Sequence, residues 1–291
     1  KKYKNSFYLQ LHGWGDADMI NLFNKAGNRI SPLAANKFPV GRDIKTGMKK
    51  FNCNIAIPFS CHHQYQRRDS FWANKYVTPL SFMSEGFVQD TNHILLPAFQ
   101  DIELSEGGFH NKDINPQKII ITDPVHESNF GDEWSDLLTK KQASQCQDYF
   151  LEIKTLFKRY KSIVLNVGGV DHEMFDNGKG KAKLKFFVPR SSLMKAIRRE
   201  IFDDLLIGNF MKTQLTNCSN LISPDFTMTV CKYSDNGKAK AKKELKNYFY
   251  YYSKDRTLED KVNLKFLQLR SKIKPYLGNT MITKLKYLTR T

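Results

Sequence analysis

Between residues 6 and 59, short apolar runs alternate with segments of helical periodicity, and this alternation restricts the fold more than any other feature of the chain. Ser6 to Leu11 reads as a strand and Met19 to Ala26 as a helix. Arg29 to Ala34 reads as a strand, Ile44 to Phe51 as a helix and Asn54 to Phe59 as a strand. That rhythm belongs to a layered α/β unit, in which helices cover a mainly parallel sheet. With 291 residues, 41% of them hydrophobic, the chain has core enough for one large domain or a domain with an appendage.

Beyond residue 60 the pattern loosens. Residues 60 to 135 are broken by Pro79, Pro97, Gly107, Gly108 and Pro116, with strand candidates only at His93 to Leu96 and Lys118 to Thr122. Gln145 to Lys161 carries aromatic and aliphatic residues at helical spacing, and Ser191 to Leu206 does the same. Ile163 to Val167 and Leu184 to Val188 read as strands separated by the glycine- and lysine-rich stretch Asn177 to Lys183. Gly168 and Gly169 follow a strand but open no helix, so they make a poor phosphate loop.

Charge is concentrated at one end. Residues 232–291 carry +11 of the net +17. The basic, tyrosine-rich stretch Lys238 to Lys254 suits a polyanion in principle, but its aromatics group on one side of the lysines instead of interleaving with them. This favours a helix packed on the body over a nucleic-acid surface. Five scattered cysteines without a C-x-x-C pair argue against a disulfide framework and a cysteine zinc cage, and a reducing cytoplasm is the expected setting. No apolar stretch is long enough to predict a membrane span.

The chemistry sits at two strand ends. The first ends in LHGWGDADM, where Gly13 and Gly15 loosen the backbone before Asp16 and Asp18. Carboxylates at the carboxyl end of a strand suit cation or phosphate chemistry, although Asp18 equally suits the N-cap of a following helix. The second, IAIPFSCHHQYQRRD, releases His62 and His63, followed by Gln64, Arg67, Arg68 and Asp69. His63 lies 47 residues after Asp16. Adjacent residues of an extended chain point to opposite sides, so one of the two histidines faces a shared site. An imidazole and a carboxylate at one sheet edge can share a metal ion. Arg67 and Arg68 suit a bidentate anion clamp, or equally an ion pair with Asp69.

These residues carry a resemblance. GDAD followed by helix, strand, helix and IAIPFSCHHQ resembles the C-terminal half of a metallo-β-lactamase-fold hydrolase. HHQYQRRDSFWANKYVTPL, FGDEWSDLL and IFDDLLIGNFMKT resemble more particularly the branch related to CMP-N-acetylneuraminate hydroxylase. The resemblance implies an α/β, αββα layered sandwich, here its C-terminal portion over residues 1–175, with an α+β basic extension over residues 176–291. It implies Asp16 as a metal-bridging ligand and His63 as the terminal one, these two being catalytic, with His62 and Asp18 as further metal candidates. Arg67, Arg68 and Gln64 would bind substrate. The implied cofactor is a divalent metal, zinc first, with iron or manganese as alternatives. The substrate would be a small anionic molecule, sugar-derived in the more particular branch. The family's H-x-H-x-D-H cluster does not occur, so the remaining ligands are expected from an upstream segment or a second chain. The cysteine–histidine pairs of a Rieske centre are missing too, so a complete oxygenase is not expected.

Three function classes follow: a metal-dependent hydrolase, a non-catalytic binding or accessory module, and a basic protein that binds nucleic acid or another anionic polymer. The first is the leading expectation.

Overall fold

A computed structural model describes residues 5–11, 21–31, 39–59, 64–114, 123–207, 210–219, 221, 226 and 229–254, with isolated positions at 257, 258, 262 and 265. It is a mixed α/β structure with two main sheets.

The first sheet is parallel, in the order β1 (Phe7–Leu11), β3 (Ile55–Phe59), β4 (Ile94–Leu95). Helix α1 (Val40–Phe51) covers it, because Val40, Ile44 and Met48 recur every four residues and all three are buried. They pack with Tyr8, Ala56 and Met83 in a small core. Pro58 is tolerated in the middle strand for a definite reason. The Ile55 N–H points to β1, donating to Ser6 O, so Pro58 lacks its N–H on the opposite side. There the pairing ends with Leu96 donating to Ala56 O.

The second sheet is mixed, in the order β2 (Leu22–Phe23), β10 (Lys212–Thr216), β9 (Ala182–Phe187), β7 (Tyr160–Val167), β8 (Val170–Asp176). Helices α2 (Lys140–Ile153) and α3 (Arg190–Arg199) bury Cys146, Tyr149, Phe150 and Ile153, and Leu193, Met194, Ala196 and Ile197, in the large core of this sheet. A capping box formed by Thr139 and Gln142 starts α2. Beyond lie the short helix α4 (Asp204–Ile207) and α5 (Lys242–Lys254). A hairpin of β5 (Gln100–Ser105) and β6 (Gly108–Asp113) forms a separate two-stranded sheet, with Phe109 edge-on to Phe7 of β1. Among the described residues no helix is long and apolar enough to cross a membrane.

Several local expectations need correcting. The helix expected over Met19 to Ala26 is, in its described part, strand β2 followed by a turn. Leu22 is buried against the second sheet, Thr213 N donates to Asn21 O, and Gly27 at φ +82° closes a turn in which Asn28 N donates to the Asn24 side chain. The helix expected to run to Lys161 ends at Ile153. Phe157 and Tyr160 are drawn into the core, and the Asn177 amide donates to the carbonyls of both, holding the tight turn into β7. The helix expected over Ser191 to Leu206 breaks after Arg199, where Glu200 adopts φ +52°. The strand candidate Lys118 to Thr122 lies wholly outside the described residues, as does the continuation of the Arg29 strand past residue 31. The expected domain boundary near residue 175 falls inside β8, within the second sheet.

Candidate functional site

β1 and β3 are neighbours in exact parallel register, with Phe7 opposite Ile55 and Leu11 opposite Phe59. β4 runs parallel on the other side of β3. All three strands deliver their carboxyl ends to one edge, the position at which open parallel sheets take ligands. The chain leaves Leu11 five residues before Asp16, and leaves Phe59 four residues before His63. Paired strands lie about 4.8 Å apart, so the two loops begin as neighbours. Asp16, Asp18, His62 and His63 themselves lie outside the described residues. Among the described residues, no three His, Cys, Asp or Glu side chains gather as a metal site.

The segment that resumes after His63 is described. Gln64 is exposed. The backbone then runs beside residues 123–136, with Arg68 N donating to Val125 O at 2.9 Å and Val125 N to Gln66 O at 2.7 Å. Arg67 is committed to protein carboxylates. Its Nε and Nη2 donate to Asp69 at 3.1 and 2.8 Å, and its Nη1 donates to Asp132 Oδ2 at 2.6 Å. Its guanidinium lies 4.2 Å from the centre of the Phe210 ring. Burial would lower its pKa, but the hydrogen bonds and charges of Asp69 and Asp132 outweigh that and hold it above the usual arginine value. Asp132 is fully buried and also accepts from Ser192 N and Oγ, in the first turn of α3, at 2.8 and 2.5 Å. Trp134 Nε1 closes the cluster by donating to Asp69 Oδ2. Arg67 thus clasps the chain leaving β3 to the helix over the second sheet.

Arg68 is mostly exposed. Its Nε and Nη2 donate to the buried Glu127, and its Nη2 lies 2.9 Å from His126 Nε2. Of the residues read as substrate-binding, Arg68 and Gln64 face solvent while Arg67 is turned inward. His126 and Glu127, at the start of the 3-10 turn Glu127–Phe130, are brought into the same cluster.

Two residues escaped the sequence reading. Asp132 lies 65 residues from Arg67, in FGDEW, where nothing marks one acid above its neighbours. Arg29, alone between an asparagine and an isoleucine, carries no motif, yet its guanidinium rests on the rings of Trp72 and Phe23. Cys53, Cys146 and Cys218 are in no disulfide, and burial pushes the Cys146 thiol up to about 12, away from nucleophilic use.

No protein-family model, curated protein or solved structure shows a significant match to this chain.

Proposed function

We propose that the chain is the C-terminal portion of a metallo-β-lactamase-like, metal-dependent hydrolase. The observation that carries this reading is the exact parallel register of β1 and β3, which starts the loops of Asp16 and His63 side by side. A site beyond the carboxyl ends of adjacent parallel strands is where such a fold would need its ligands. The donor set suits the group: carboxylates from Asp16 and Asp18 and an imidazole from His63, with His62 beside it, are ligands that zinc, iron and manganese accept. When bound, a divalent ion supplies an activated water and stabilises charge developing on a carbonyl or phosphoryl oxygen. The remaining ligands would come from a segment upstream of Lys1 or from a second chain.

The chain's own residues then have distinct tasks. Arg67, through Asp69 and Asp132, fixes the course of the segment leaving His63. Arg68, already paired with Glu127, and Gln64 face solvent on that segment and can contact a substrate lying against it. Fixed donors around the reacting centre lower the barrier because they need no reorganisation during reaction.

Elemental analysis tests this reading. A chain extended upstream of Lys1 should retain one or two divalent ions per molecule, and Asp16→Asn or His63→Ala should each lose at least one while circular dichroism stays unchanged. Metal content unaffected by both substitutions, or an experimental structure with Asp16 and both histidine side chains more than about 10 Å apart, overturns it, since metal–ligand bonds are near 2 Å.

A further inference from the structure

The two arginines that the sequence offers for anion binding are already matched with acids. Arg67 holds two carboxylates and Arg68 holds one. Arg29 differs. Its Nη1 donates to Asn21 Oδ1 at 3.0 Å, and its guanidinium carbon lies 3.6 Å from the centre of the Trp72 ring and 4.8 Å from that of Phe23. No carboxylate among the described residues lies in ion-pair range of it, and the residue is exposed.

Its supports are fixed. Asn21 is only 4% exposed and its amide donates to Met211 O at 3.2 Å. Trp72 Nε1 donates to Asp69 O at 3.0 Å, which anchors the ring to the Arg67 cluster. A guanidinium has five N–H groups, and Asn21 occupies one. Burial, partly offset by Tyr76, lowers the Arg29 pKa, as expected for a cation held against rings without a counter-charge. Chain position completes the case. Arg29 lies on the segment that follows the loop of Asp16 and Asp18, and Trp72 lies on the 3-10 turn Phe71–Tyr76 that follows His62 and His63. The two segments that follow these loops thus meet at one preorganised guanidinium: Arg29 lies eight residues after Asn21, where the first is described again, and Trp72 eight residues after Gln64, where the second is.

We propose that Arg29 is the residue that recognises the substrate's anionic group, receiving a carboxylate or a phosphate on the N–H groups left open by its aromatic support. This rests on the hydrolase reading for its reaction, though not for its binding chemistry. A fork of two parallel N–H donors matches either oxyanion, and stacking on an indole face fixes the fork without neutralising it.

The test follows the Trp72 indole N–H resonance in isotope-labelled protein titrated with inorganic phosphate or with glucuronate, using the Trp134 indole as reference. The Trp72 signal should shift saturably with at least one anion. A response to glucuronate alone assigns a carboxylate substrate, and a response to phosphate alone assigns a phosphorylated one. Arg29→Gln should raise the half-saturating concentration at least tenfold, with the Trp134 signal and melting temperature retained. If Arg29→Gln does not fold, Arg29→Lys decides, because it keeps a cation over the ring but loses the fork and must still weaken the response severalfold. No response in the unmodified protein to either anion, or an unchanged response in the variant that decides, overturns the proposal. The two readings fail separately: Asp16→Asn should lose metal yet keep the Trp72 response, and Arg29→Gln should keep metal.

Discussion

Asp235 shows how much one buried side chain governs. It is 2% exposed and joins two parts of the large core, accepting from Tyr149 Oη and from Phe202 N, both at 2.8 Å. Burial pushes its pKa up to about 6; the two hydrogen bonds act against that, and Asp203 adds to it. The folded-state pKa is above the unfolded value of about 3.9, so the folded form binds the proton more tightly. Its contribution is therefore full below about pH 4 and is lost as pH rises through about 6. Asp235→Asn removes the titration while keeping an oxygen for Phe202 N. Relative to the unmodified protein, the variant should gain about 2 kcal/mol in urea unfolding between pH 4.5 and pH 7.5. A difference between the two proteins that does not change over that range shows that ionisation of Asp235 has no part in stability. Nothing in KYSDNG marks this acid as buried. The Arg67–Asp69 ion pair was legible as one of two alternatives because Asp69 stands two residues away, whereas Asp132 and Arg29 acquire their roles only from chain returning across the molecule.

At the scale of elements, legibility followed periodicity. α1 was readable because its apolar residues repeat at the spacing of one covered face, and β1 and β3 because each is a short apolar run. β8 was overlooked, although Gly168 and Gly169 between apolar runs are a hairpin signal. Both adopt positive φ, +61° and +83°, as a two-residue turn with primed geometry requires. The β5–β6 hairpin was hidden because exposed strands need no alternation. Gly47 gives a prediction of definite sign. Inside an exposed helix, Gly→Ala gains about 0.5–1 kcal/mol. A Cβ on Gly47, however, would overlap the Tyr8 ring and hydroxyl, and Tyr8 is buried and stacked with Phe51 at 5.9 Å between ring centres. Gly47→Ala should therefore lower the unfolding free energy by about 1–3 kcal/mol in a urea titration. An unchanged or raised midpoint shows that α1 does not press on β1 at Tyr8.

At the scale of the whole molecule, the described residues form two cores of very unequal size. Among the described residues, the core under the first sheet contains six buried residues against twenty-eight under the second, so the described part of the sheet beside the candidate site has the smaller store of burial energy. Two ties hold it. The chain leaving β1 crosses to the edge of the second sheet as β2, and the chain leaving β3 is clasped to α3 through Arg67 and Asp132. Segments with few buried apolar contacts open at lower free energy than the global transition. Amides of β1 and β3 should thus exchange with solvent faster than those of β7 and β9. Asp132→Ala leaves Arg67 without one carboxylate and Ser192 without its acceptor. Breaking a buried pair costs about 3–5 kcal/mol. The loss should fall on the smaller side: exchange of β1, β3 and α1 amides should accelerate about 100-fold or more, while β7 and β9 stay within about threefold of the unmodified protein. Equal acceleration in both sheets would mean that the molecule unfolds as one cooperative body, and that the clasp contributes to global stability and not to the hold of one sheet on the other.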